Sequence, residues 1–82
     1  MKHLAAFALI ITLSACGGET EVARAEREYN MVKDAMGSAD EICAASRRVA
    51  EAHLHAGNQH DYQMAALKRD LDCNQAALNR LN

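Results

Sequence analysis

The sequence predicts an all-α protein, built as a small disulfide-closed helical hairpin with an additional N-terminal helix. Proline is absent from the 82 residues, and half of the residues are hydrophobic, many of them alanine, which is a composition typical of helices. Apolar residues recur at spacings of three and four, the period of a helix with one apolar face. Two cysteines, Cys43 and Cys73, lie symmetrically about a glycine-containing turn.

The first predicted helix covers residues 20 to 36. Charged residues occupy most of its surface, and acidic residues at its start favour the positive end of the helix dipole. The two later helices form the hairpin and bury each other. The apolar stripe of this first helix therefore needs another surface, which either the hairpin or a partner protein supplies. The residues of this candidate partner-binding stripe are Val22, Tyr29, Val32 and Met36.

A second helix is predicted to begin after Gly37, which interrupts the apolar period. Ser38 and Glu41 have the spacing of a capping box, in which each side chain bonds the other residue's backbone N–H. The alternative is one helix that continues through Gly37 with a kink, at a cost of about 1 kcal/mol relative to alanine. The apolar positions of the second helix are Ile42, Ala45, Val49, Ala52 and Ala56.

The clearest turn of the sequence is at Gly57 and Asn58, since glycine suits the left-handed position that ends a helix. A third helix is predicted from residue 60 to residue 80. Its apolar stripe is interrupted by Asn74, which either fixes the register of the helix or is simply exposed to solvent. The stripe comprises Met64, Leu67, Leu71, Leu78 and Leu81.

Residues 1 to 15 have the layout of a secretory signal peptide. Lys2 makes the start basic, residues 4 to 13 are apolar apart from Thr12, and small residues follow. A ten-residue helix is about 15 Å long, roughly half the hydrocarbon thickness of a bilayer, so the run is too short for a permanent span. We expect this segment to be removed.

Leu13-Ser14-Ala15-Cys16 resembles the lipobox of bacterial lipoproteins. The resemblance implies a diacylglycerol on the Cys16 thiol, cleavage just before this residue, and further acylation with a palmitate-like chain. Composition and periodicity then predict a short tether over residues 16 to 20 ahead of a helical domain at 21 to 82. In a Gram-negative host, Gly17 implies a lipid anchor in the outer membrane that faces the periplasm. The alternative is an ordinary signal peptide that leaves Cys16 as a free thiol.

Cys43 and Cys73 are predicted to form a disulfide bond. Their midpoint is residue 58, at the predicted turn, so a hairpin brings them level on neighbouring antiparallel helices. Export, marked by Cys16, takes the chain to a compartment where disulfides persist. A closed loop of this length contributes roughly 3 to 4 kcal/mol, which matters for a thin core.

Composition and motifs exclude several functions. The net charge of −2 gives no basic patch for nucleic acid, and no nucleophile with its base and no phosphate-binding loop are present, so we expect no enzyme and no cofactor. Three histidines surround the second turn. Because His53 and His55 project about 200° apart on a helix, only His53 and His60 would converge, and we expect no metal site.

The function expected from these features is that of a small envelope lipoprotein that binds an unknown envelope protein partner as an accessory or structural component. One alternative is a structural lipoprotein similar to the murein lipoprotein, although the chain ends Leu81-Asn82 and lacks that family's terminal lysine. Another is a stress-associated, membrane-active lipoprotein of entericidin-like size. The oligomeric state does not follow from the sequence.

Overall fold

The computed structural model describes residues 19–81, which form three α-helices. They are α1 (Glu21–Asp34), α2 (Ala39–Ala56) and α3 (Gln59–Leu81). No strand occurs in this part of the chain, so the predicted all-α class is confirmed. The predicted signal peptide and Cys16 lie outside the described residues.

Helix α1 begins at a capped N-terminus. The side chain of Thr20 accepts a hydrogen bond of 3.0 Å from the backbone N–H of Ala23. Glu21 lies in the first turn, and Lys33 lies in the last turn. Each charge is opposite in sign to the nearby end of the helix dipole and therefore stabilises the helix. The helix ends at Asp34, two residues before the predicted end at residue 36.

The break between α1 and α2 depends on two residues with different roles. The N–H of Met36 bonds the carbonyl of Lys33 at 3.0 Å, and that of Gly37 bonds Val32 at 2.8 Å, the double closure of a Schellman motif. Met36 takes the left-handed position, with φ 57°. Gly37 permits close approach, since a Cβ there would lie 2.6 Å from Cγ1 of Val32. The helix thus ends before Gly37 and does not continue through it with a kink.

Helix α2 has the two ends that the sequence predicts. The Ser38 hydroxyl accepts from the N–H of Glu41 at 3.1 Å, and the Glu41 carboxylate accepts from the N–H of Ser38 at 2.9 Å. At the other end, Gly57 is left-handed with φ 76°. The N–H of Asn58 bonds the carbonyl of His53 at 3.3 Å, a second Schellman closure. The capping box and the turn are both confirmed.

The three helices form one layer with α2 in the middle. Helix α2 packs against both neighbours, whereas the backbones of α1 and α3 do not touch within the described chain. Successive helices are antiparallel, as the pairs Arg48–Glu28 and Arg80–Asp40 show. The interior of this layer consists mainly of small residues, namely Ala25, Tyr29, Cys43, Ala45, Ser46, Ala50, Ala52 and Ala76.

The predicted disulfide between Cys43 and Cys73 is confirmed, and it joins α2 to α3 with a Cα–Cα distance of 4.6 Å. This separation is within the usual range for a disulfide. A backbone approach this close leaves no room for leucine or methionine beside the bond. The buried residues of the two helices are accordingly mostly small, among them Ala50 on α2 and Ala76 on α3.

Candidate functional site

The candidate stripe on α1 is partly covered by the rest of the chain. Tyr29 is only 4% exposed, Val22 and Val32 are half-buried, and Met36 is 91% exposed. Of the two surfaces that the sequence left open, the hairpin is the one that covers Tyr29. Binding of a partner to this stripe stays a prediction, and among its four residues only Met36 is fully available for it.

Tyr29 is held by a polar cluster that connects all three helices. Its hydroxyl donates to Oδ2 of Asp72 at 3.2 Å, and the buried hydroxyl of Ser46 donates to the same oxygen at 2.8 Å. The Nζ atom of Lys68 lies 4.0 Å from the centroid of the Tyr29 ring, close enough for a cation–π interaction. Burial, followed by the charge and the hydrogen bond of Asp72, raises the pKa of Tyr29 to about 12.

An open groove of about 860 Å³ lies between α1 and α3, with α2 as its floor. Its walls mix polar and apolar side chains, and Tyr29 crosses its base to reach α3. The groove follows from the layered arrangement, because α1 and α3 each contact α2 and leave a gap between them. It is lined by Glu26, Tyr29, Asn30, Ser46, Val49, His53, Asp61, Met64, Ala65, Leu67, Lys68 and Leu71.

Two histidines near the second turn face α1. The Nε2 atom of His53 is 3.9 Å from a carboxylate oxygen of Glu26, and Nδ1 of His55 is 3.1 Å from Glu21. The Nδ1 atom of His53 is buried and has no hydrogen-bond partner among residues 19–81. Nowhere in those residues do three or more histidine, cysteine, aspartate or glutamate side chains converge as a metal site would require.

The largest apolar side chains of α3 face solvent. We call the row of residues at positions 64, 67, 71, 74, 78 and 81 the α3 seam. Its five large apolar members are between 56% and 83% exposed, and Asn74, in the middle, is exposed as well. The members of the seam are Met64, Leu67, Leu71, Asn74, Leu78 and Leu81.

Sequence periodicity identified the α3 seam as apolar but not as exposed. The disulfide holds Cys73 against α2, and Leu71, two residues earlier, is turned about 200° around the helix. The small side chain of Ala76 packs inward instead. The predicted disulfide already indicated this orientation in the sequence, because it fixes which face of α3 packs against α2.

Several ion pairs join the helices along their rims. Arg80 lies 3.4 Å from Asp40, and the end of α3 is thereby paired with the start of α2. A further pair lies within one segment: Arg27 of α1 binds Glu19, just before the same helix, at 2.8 Å, and this hydrogen bond lowers the pKa of the Glu19 carboxyl. These side chains are exposed, and such pairs contribute little to stability.

Comparison with protein-family models, with curated proteins and with solved structures finds no match to this chain. Within residues 19–81, none of the helices combines the length and the apolar character needed to cross a membrane.

Proposed function

We propose that this protein is a small lipid-anchored lipoprotein of the cell envelope, which acts by binding, as an accessory or structural component, and not as a catalyst. The observation that carries the proposal is the division of the three cysteines. Cys43 and Cys73 are joined within the helical layer, whereas Cys16 ends the Leu13-Ser14-Ala15-Cys16 pattern of a lipobox.

The disulfide supports the envelope location. Disulfides persist in oxidising compartments and are rare in the cytosol. A chain that carries both a signal-peptide layout and a disulfide is therefore consistent with export. In a Gram-negative host, Gly17 after the lipidated cysteine favours an anchor in the outer membrane, with the helical domain in the periplasm.

The binding role is supported by the α3 seam. Five large apolar side chains lie exposed along one helix face, three before Asn74 and two after it. Exposed apolar surface of this kind marks sites of association. The groove beside it is open and mixed in character. The proposed activity is therefore recognition of another protein at the membrane surface.

Metabolic labelling with an alkyne-bearing fatty acid tests the lipid anchor. We expect the full chain, expressed in a bacterial host, to incorporate the label and to have the intact mass of a chain that starts at Cys16 with acyl groups attached. The Cys16→Ala variant should incorporate no label. A protein that still begins at Met1, or that has an unmodified thiol at Cys16, would overturn the proposal.

A further inference from the structure

We propose that the α3 seam is a self-association surface, on which α3 of a second copy packs in parallel and in register. This inference rests on the binding role proposed above, since it names the partner. It does not depend on the lipid anchor, because every residue that carries it lies on α3.

The spacing of the α3 seam is that of a coiled coil. Its six positions are separated by three, four, three, four and three residues, the repeat of the two core positions of a heptad. A helix that only covers its own hairpin would turn these residues inward. On α3 they are exposed instead, with Met64, Leu67 and Leu71 bordering the groove and Leu78 and Leu81 beyond it.

The area of the α3 seam fits a small two-chain interface. More than half of each of its five large side chains is exposed. Complete burial of these exposed parts would remove on the order of 500 Å² of apolar surface per copy and about 1,000 Å² for two copies, near the lower limit for a specific interface.

Asn74 selects the second copy as the occupant and fixes its direction. With Met64 at position a of the heptad, Asn74 lies at position d. In a parallel, in-register pair each d residue packs against the same residue of the neighbouring helix, so the two Asn74 amides can hydrogen-bond to each other. Only the parallel, in-register alignment brings Asn74 onto its own counterpart. The antiparallel alignment with full overlap places Asn74 against Leu71 and leaves the amide without a partner.

The charged residues beside the centre of the α3 seam do not oppose this alignment. Lys68 is held over the ring of Tyr29 in its own chain, 4.0 Å from the centroid. Asp70 pairs with its neighbour Arg69 at 3.1 Å. No cluster of one charge sign therefore flanks the seam, and two identical faces can meet without repulsion between like charges.

Photocrosslinking between two copies tests the proposal. Full chains with two different C-terminal tags are co-expressed, with a photoreactive amino acid in place of Leu78 in one of them. We expect irradiation to give a product that carries both tags. The matched control has the same replacement at Leu54, which is equally exposed, at 56%, and also lies near the end of its helix, and we expect no such product.

Peptide mapping of the product tests the direction of packing. After reduction and trypsin digestion, cleavage at Arg69 and Arg80 releases residues 70 to 80 as one peptide. The parallel alignment attaches residue 78 of one copy to this peptide of the other. The antiparallel alignment places residue 78 beside Leu67, in the peptide that ends at Lys68, and that result would overturn the proposed register.

A variant separates a specific interface from adventitious contact. Leu71→Asp in both copies should reduce the two-tag product at least tenfold, while Leu54→Asp should leave it unchanged. Crosslinking of residue 78 to a different envelope protein, or the absence of a two-tag product from the unsubstituted seam, would overturn the proposal. Because the intact mass reports the lipid separately, failure of the anchor and failure of self-association are distinguishable.

Discussion

The hydroxyl of Tyr29 donates a hydrogen bond of 3.2 Å to Asp72, a residue 43 positions further along the chain. The same carboxylate oxygen accepts from Ser46 at 2.8 Å. One side chain of α3 therefore satisfies a phenol from α1 and a buried hydroxyl from α2. Since the backbones of α1 and α3 do not touch in the described chain, this cluster is a direct side-chain connection between the two outer helices.

Replacement of Asp72 by alanine should lower the free energy of unfolding by about 2 to 3 kcal/mol, because two hydroxyls lose their charged acceptor. Asp70→Ala is the matched control. Asp70 is exposed and, among residues 19–81, pairs with its neighbour Arg69 alone, so we expect a change within about 0.5 kcal/mol. Urea unfolding followed by circular dichroism measures both. Equal losses for the two variants would contradict the role assigned to the cluster.

The raised pKa of Tyr29 predicts a loss of stability at alkaline pH. The pKa of this phenol is about 12 in the folded chain, against an ordinary value of 10, so folding favours the neutral form. This contribution is complete below pH 10 and is lost as the pH rises towards 12. The free energy of unfolding should fall more over this interval than it does in Tyr29→Phe, which has no phenol to ionise. Parallel curves for the two proteins would contradict the prediction.

The sequence predicted those features that consecutive residues encode. The capping box of Ser38 and the glycine closure at Gly57 satisfy backbone groups within a few residues, so local chemistry alone located both helix boundaries. The pairing of Cys43 with Cys73 followed from the position of the turn between them.

The orientation of the two apolar stripes depends on the distances between packed helices. The spacing of apolar residues in the sequence does not report these distances. The α1 stripe contributes the buried Tyr29, while the leucine and methionine side chains of the α3 seam face solvent. The reason is the close approach of α2 and α3 at the disulfide, which admits alanine and excludes leucine. The role of Asp72 in the cluster was not predicted from the sequence, since charged residues on helices are ordinarily exposed. Its partners Tyr29 and Ser46 lie on other helices.

The left-handed conformation of Met36 predicts a stabilising substitution. A side chain at φ 57° costs about 1 to 2 kcal/mol, and glycine avoids this cost while losing part of the gain to chain entropy. Met36→Gly should therefore raise the free energy of unfolding by about 0.5 to 1 kcal/mol.

The same substitution at Met31 is the matched control for Met36→Gly. Met31 is an exposed methionine within α1, where glycine lowers stability by about 1 kcal/mol. The two substitutions should thus shift the thermal midpoint in opposite directions. A decrease for both would mean that the Met36 side chain contributes more to the fold than its conformation costs.

Removal of the disulfide should have the largest effect on the helical layer. Cys43 and Cys73 are separated by 30 residues, so their bond closes the whole α2–α3 hairpin. In Cys43→Ala/Cys73→Ala we expect a loss of about 3 to 4 kcal/mol, because an open chain has more unfolded conformations and the alanine contacts are too small to compensate. Thermal unfolding with and without a reductant measures the effect. Reductant should bring the unsubstituted protein to the level of the double variant and leave that variant unchanged, since neither of its bridging sulfurs remains. A double variant as stable as the oxidised protein would show that the alanine interface alone holds α3 in place.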